Sequence, residues 1–417
     1  VTAAVPAATP LMLAPAAIGD AERDRPDERF IETLRQWYPT EREIDRMLTR
    51  KMRRRDGPPF LDLSLAGVTT HLEAFLREHV EGGFRISRQR WFSGGASKIQ
   101  MGFDLEWNRP GAGRTTTAMV VRMEPAEGMN ATSRLREFEL LRAMAGVVPV
   151  PEVYWVDDQG RWFPEPALIY AHCDGVTKPS KLPNEQIAGT GTNFGPALRP
   201  RLGEQFVRHL AAIHRFDPRG AALASFDEPP LGSTASALWQ LNRARRVWEE
   251  DRGANLPFVE VAANWLERKL PVLDRVSVIH GDYRSGNFLF DEADARITAI
   301  LDWERCYLGD RHRDLAWATA YPFGHLAEDG KTFLASGLMP TDEMLERYER
   351  ESGLAVDPAR LRYFMVFNCY QLMVSTIATG HRVVRLGKSH QDIVLAWAGA
   401  AGYSFAEPLR RVLEEVL

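Results

Sequence analysis

The segment Val278-Ile-His-Gly-Asp-Tyr-Arg-Ser-Gly-Asn-Phe-Leu-Phe290, with Ile300-Leu-Asp-Trp-Glu304 behind it, constrains this chain more than any other stretch. Two apolar runs enclose a short polar loop carrying His280, Asp282, Arg284 and Asn287, and a further apolar run ends on Asp302, fifteen residues after Asn287. A fold that accommodates this pattern must set a loop between buried strands beside the end of another strand. The residue types meet the needs of phosphoryl transfer: one carboxylate to take a hydroxyl proton, then an amide oxygen and a second carboxylate to hold magnesium on phosphates. The spacing His-x-Asp-x4-Asn, then apolar-apolar-Asp, is that of a kinase catalytic loop and its metal aspartate. Singly, each Asp or Asn is more often a turn residue or a helix cap. The ordered set with strand-like flanks carries the reading.

With 417 residues there is room for two or three core-bearing units. A net charge of -4 leaves no basic field to displace counterions, which argues against general nucleic-acid binding. Cys173, Cys306 and Cys369 are odd in number and far apart, without Cys-x-x-Cys spacing. That fits free thiols in a reducing compartment, and a cytoplasmic location is expected. No apolar run reaches the roughly 18 residues of a membrane span; the richest, from Leu361 to Thr379, is broken by Arg362, Asn368 and Gln371. Residues 1–26 read as a disordered tail, because Pro6, Pro10 and Pro15 interrupt what a secretory signal would need unbroken.

Residues 27–82 form a helical N-terminal extension. One helix is expected from Asp27 to Arg55, ending in the basic run Lys51-Met-Arg-Arg-Arg55, which reads as a solvated helix end or, less simply, as a greeting for phosphates. A second helix runs from Leu65 to Val80. Near Phe84 the period changes. Ile99, Met101, Phe103, Leu105 and Trp107 alternate with polar or small residues, a half-buried strand entered through Ser93-Gly-Gly-Ala-Ser97. A returning strand from Thr117 to Met123, a helix from Thr132 to Met144 and two strands, Pro149 to Val156 and Ala167 to Tyr170, complete an antiparallel sheet carrying one helix across residues 83–171. Residues 172–417 are mostly helical, with strand character only around the catalytic segment. The expected class is α+β and bilobal, with a cofactor cleft between a small sheet lobe and a large helical lobe.

On these motifs the chain resembles the aminoglycoside-phosphotransferase-like (choline-kinase-like) enzymes, the small-molecule branch of the protein-kinase-like fold, over roughly residues 85 to 400. His-Gly-Asp-Tyr-Arg-x-x-Asn and Asp-Trp-Glu most resemble the subgroup that includes kinase-like domains associated with acyl-CoA dehydrogenases. The resemblance implies ATP, with GTP left open, and Mg2+ as cofactors. It implies Asp282 as the catalytic base and Asn287 and Asp302 as metal ligands. Arg284 stands where a cation approaches the transferring phosphate, or alternatively stiffens the loop as a salt bridge. Ser93, Gly94, Gly95 and Ser97 resemble the phosphate-covering hairpin. Arg122 occupies the place of the strand lysine that contacts phosphates, a departure that keeps the charge but changes the donor geometry, and Glu137 resembles its ion-pair partner. Tyr170 to His172 align with the hinge that reads a purine edge through its backbone. His280 and Asp314 are expected to brace the loop, and His214 fits a family pattern that core packing explains as well.

The acceptor is expected to be a small molecule offering a hydroxyl. Glu343, Glu346 and Glu349 alternate with Arg347, Arg350, Arg360 and Arg362, so no carboxylate cluster awaits a polycation. The apolar run Tyr363 to Met373, with Arg382, Arg385 and Lys388 downstream, suggests an alcohol with apolar bulk and an anionic portion such as a hydroxyacyl thioester, unless those residues are simply core. An aminoglycoside acceptor is the alternative. Two other classes compete: a silent nucleotide-binding pseudokinase, though base, Asn and metal Asp are all present, and a metal-dependent hydrolase, though a His-rich ligand set is missing.

Overall fold

The computed structural model describes residues 19–58, 63–92, 98–125, 128, 130–181, 191–388 and 392–415. The chain enters through α1 (Asp20–Asp24), α2 (Glu28–Trp37), α3 (Arg42–Arg53) and α4 (Leu65–His79). The single helix expected over 27–55 is therefore two. Pro39 disfavours helical backbone at Tyr38 and separates α2 from α3. Residues 20–24, expected within a disordered tail, are helical, and Arg23 is buried with its Nε donating to the Glu249 carbonyl (2.8 Å).

The sheet lobe contains β1 (Arg85–Trp91), β2 (Ile99–Arg109), β3 (Gly113–Met123), α5 (Arg134–Met144), β4 (Val153–Asp157) and β5 (Ala167–Ala171). The strands are antiparallel in the order β1-β2-β3-β5-β4. The alternation read from the sequence has a definite meaning here. Met101, Phe103, Leu105, Met119, Val121 and Ile169 pack on Val68, Leu72, Phe75 and Leu76 of α4. Val120, Leu168 and Tyr170 instead join Leu140, Leu141 and Met144 of α5. Covering both faces of a sheet removes its apolar side chains from water, and the N-terminal extension supplies one of the two covers.

The helical lobe follows: α6 (Gly195–Arg215), α7 (Ala235–Asp251), α8 (Pro257–Arg268), β6 (Ser277–Ile279), β7 (Phe288–Asp291), β8 (Arg296–Ile300), β9 (Tyr307–Gly309) and α9 (His312–Ala318). A small sheet of β10 (His325–Leu326), β11 (Phe333–Ala335) and β12 (Met339–Pro340), too short to leave a periodic signal, precedes α10 (Thr341–Ser352). The chain ends in α11 (Pro358–Met373), a π-helical turn (Val374–Ala378), α12 (Thr379–Leu386), α13 (Asp392–Gly402) and α14 (Ala406–Glu414). Among the described residues no helix is long and apolar enough to cross a membrane.

Two sequence expectations for acceptor binding are corrected. Tyr363, Phe364, Phe367, Tyr370 and Met373 are buried in one core cluster with Trp248 and Trp265, so their apolarity serves packing. The cations downstream are spent internally. Arg382 is buried against Asp251 (3.1 Å), Arg385 pairs with Asp24 (2.6 Å), and Lys388 Nζ donates to the carbonyls of Arg55 and Gly57 (both 2.7 Å). The basic run is likewise no free helix end. Lys51 and Arg55 reach Asp251 (2.9 and 2.7 Å), Arg53 pairs with Glu28, and Arg54 with Glu165.

Candidate active site

The polar loop leaves β6 and returns as β7. Gly281 takes φ +81°, and a Cβ there would lie 2.6 Å from the Arg305 carbonyl oxygen, so the loop can pass this close only without a side chain. Asp314, in the first turn of α9, accepts the backbone N–H groups of His280 (2.7 Å) and Gly281 (2.8 Å) and also bonds His214 Nε2 (3.3 Å). His280 Nδ1 accepts the Asp282 N–H (3.2 Å), which leaves Nε2 to donate to the Leu301 carbonyl (2.9 Å). Both histidines are thus consumed in holding the loop. Burial drives His214 below its ordinary value despite the opposing pull of Asp314, and Asp314 itself lies below the usual range because His214 and the amides outweigh its burial.

Asp282 keeps its side chain 17% exposed. Its Oδ1 accepts from Trp317 Nε1 (2.7 Å) and Arg284 Nε (3.1 Å), which fixes the carboxylate plane. Arg284 also donates to the Ser285 carbonyl (2.9 Å) and lies over the Phe323 ring (5.1 Å). Of its two expected roles, the loop-stiffening ion pair is the one formed here. Asn287 Nδ2 donates to the Asp282 carbonyl (2.8 Å), which commits the amide nitrogen to the loop.

The β7–β8 hairpin brings the second carboxylate round. Its register pairs Phe288 with Ile300, and the Leu301 N–H bonds the Asn287 carbonyl (2.8 Å), placing Asp302 beside the loop it follows in sequence. Asp302 adopts φ 63°, ψ 46°, and its side chain is 34% exposed. From the sheet lobe, Arg122 of β3 bonds both Asp302 and Glu304 (2.7 Å to the latter), and its Nε lies 3.5 Å from Glu137 of α5. The expected pair of Arg122 and Glu137 is formed, within a larger group.

Sequence reasoning missed the rest of that group. Lys98, the residue before β2, lies 3.2 Å from Glu304 and 3.4 Å from Glu124. Burial would raise Glu304, but Lys98, then Arg122 and Arg134, outweigh it and hold the carboxyl far below its usual range. A lone lysine ahead of an alternating strand gives no signal of this; only the folded position of Glu304, in the turn after β8, shows what it faces.

Ser93, Gly94, Gly95 and Ser97 lie outside the described residues. At the hinge, Tyr170 is buried, its phenol pushed up to about 12 chiefly by that burial. The His172 ring stacks on Phe92 (5.7 Å), which lies where Gly102 leaves room. The N–H groups of Ala171 and His172 donate to the carbonyls of Glu152 (2.8 Å) and Ala118 (2.9 Å).

The donor types, one amide oxygen and one partly exposed carboxylate, fit a hard divalent ion shared with phosphates. Among the described residues no three His, Cys, Asp or Glu side chains form a closed metal cage.

A lobe pair with this loop, hairpin and sheet-lobe cation defines a kinase-like phosphotransferase, and comparison with known proteins agrees. The profile described as the phosphotransferase enzyme family (APH) matches residues 110–364, more than half of the chain. The chain belongs to that family. Similar sequences include acyl-CoA dehydrogenase family member 11 of Gallus gallus (27% identical, covering 61% of this chain and 33% of the relative) and member 10 of Mus musculus (27%, 48% and 18%). The chain thus spans about a third or less of the length of these relatives. Similar folds include a Ralstonia eutropha protein described as a candidate aminoglycoside phosphotransferase (TM-score 0.60, 22% identical, covering 83% of this chain and 98% of that one). Another is APH(2")-IIIa in complex with GDP and kanamycin (TM-score 0.50, 15%, 82% and 98%).

Proposed function

We propose that the protein is an ATP-dependent small-molecule kinase that transfers the γ-phosphate to a hydroxyl of a small, partly apolar acceptor. The observation that carries this is the convergence of Asp282, Asn287 and Asp302 on one end of a hairpin, opposite Arg122. The acceptor oxygen bonds to the γ-phosphorus as its bond to the β–γ bridging oxygen breaks. The hydroxyl proton passes to Asp282, and ADP leaves. Trp317 and Arg284 hold Oδ1 of Asp282, so its other oxygen faces the hydroxyl. Asn287 and Asp302 would hold Mg2+, which supplies charge neutralisation on the phosphates. Arg122 would turn from the acids toward those phosphates.

The surroundings of Asp282, and not α11, favour this acceptor. Trp317, Phe323 and Arg284 border it, with Arg305 over Trp317 (5.2 Å). Aromatic rings suit an alcohol with apolar bulk, and the guanidinium groups favour an anionic portion over a polycation. The aminoglycoside alternative keeps only its fold-level support.

Coupled ADP release over a panel of alcohols, hydroxyacyl thioesters and kanamycin tests the reading. Asp282→Asn is expected to lose at least about a hundredfold in turnover, while the Kd for Mg-ATP changes little. Full turnover in that variant removes Asp282 as base, and kanamycin as the best substrate reverses the acceptor ranking.

A further inference from the structure

Six side chains, Arg122 among them and four of them buried, close into a ring of alternating charge. Lys98 meets Glu304 (3.2 Å), Glu304 meets Arg122 (2.7 Å), Arg122 meets Glu137 (3.5 Å), and Glu137 meets Arg134. Arg134 then meets Glu124 (3.1 Å), and Glu124 returns to Lys98 (3.4 Å). Five members come from the sheet lobe; Glu304 alone comes from the helical lobe. Three cations balance three carboxylates, and Asp302 hangs from Arg122 outside that balance. It is also the accessible acid, its side chain 34% exposed against 13% or less for the ring members.

We infer that Lys98 is a positioning residue for nucleotide and metal, acting by holding Glu304 so that Arg122 is free to leave the acids. This inference rests on the function proposed above. The consequences have opposite signs. Without Lys98, Glu304 draws on Arg122 more strongly, so the guanidinium is withheld from phosphates and the nucleotide binds less tightly. The same loss leaves the surroundings of Asp302 one charge more negative, so a divalent ion alone binds more tightly. A merely structural lysine would weaken both or neither.

The test uses the full chain and two binding readouts: a non-hydrolysable ATP analogue with Mg2+ by calorimetry, and Mn2+ alone by electron paramagnetic resonance. Lys98→Met is expected to raise the nucleotide Kd about tenfold, in the range of one charge-assisted hydrogen bond, and to lower the Mn2+ Kd. Lys98→Met combined with Glu304→Gln restores the charge balance and is expected to bring the nucleotide Kd back to within about threefold of wild type. Equal impairment of single and double variants, unchanged binding in Lys98→Met, or a double variant that does not fold each overturns the inference, and if Lys98→Met alone does not fold, the double variant decides. Failure of the wild type to bind the analogue removes the kinase reading and this inference together; wild-type binding with indifferent variants removes the inference alone.

Discussion

Asp302 sits in the left-handed region at φ 63°, ψ 46°, a conformation that Asp tolerates better than most L-residues but at some cost. The carboxylate that the proposed reaction needs is therefore delivered by a backbone held in place by its neighbours, Trp303 buried behind it and Arg122 in front. Gly281 shows the same tension from the other side of the loop. Gly281→Ala combines positive φ with a Cβ 2.6 Å from the Arg305 carbonyl. It is expected to destabilise by about 1–2 kcal/mol from the conformation alone, more with the clash, and to lower kcat by about a hundredfold through displacement of Asp282. Thermal melting and steady-state rates check the two effects separately. The motif was legible residue by residue because loop chemistry needs particular side chains at short spacing. Lys98 was not, since its partners Glu124 and Glu304 meet it only through tertiary folding.

At the scale of elements, α6 supports the loop from behind and carries two histidines kept neutral. Burial, with Arg208 adding to it, lowers His209 from 6.5 to about 4, and His214 is lowered as well. The folded state resists a proton that the unfolded chain accepts below about 6.5. Stability contributed by these groups is therefore complete above that pH and declines as the pH falls toward 4. The melting temperature is expected to drop across this window, and His209→Gln should flatten part of the drop in a pH series of melts. Strand and helix periodicity predicted β2, β3, α4 and α5 well, because each buries one regular face. It overran at Pro39, and it overlooked β10 to β12, whose two- and three-residue strands are too short to show a period.

For the whole molecule, the N-terminal extension is a bridge between lobes. From α3 and the residues just flanking it, Glu41 reaches Arg136 of α5 (3.0 Å) in the sheet lobe, while Asp45, Lys51 and Arg55 reach Arg246 and Asp251 in the helical lobe. Asp251 is buried and gathers Lys51, Arg55, Arg382 and the Thr379 hydroxyl (3.2 Å). Arg382, Lys51 and Arg55 outweigh its burial and hold its carboxyl far below the usual range. Asp251→Asn removes the buried carboxylate that Lys51, Arg55 and Arg382 share and is expected to cost about 3–5 kcal/mol, read as a lower denaturant midpoint. Lys51→Met should likewise weaken the fold while leaving Mg-ATP affinity unchanged, since this run faces acids and not the cleft.

The amino-acid sequence by itself determined the class of fold and the loop with its three metal-side and base candidates, because alternation, turn residues and short-range motif spacing are local properties of the chain. Tertiary structure alone decided where the charges go. It turned a basic run into a clamp, an apolar helix into core and a solitary lysine into a member of a closed ring. The free energy of a charge depends on what surrounds it after burial, and that is set by residues far away in sequence.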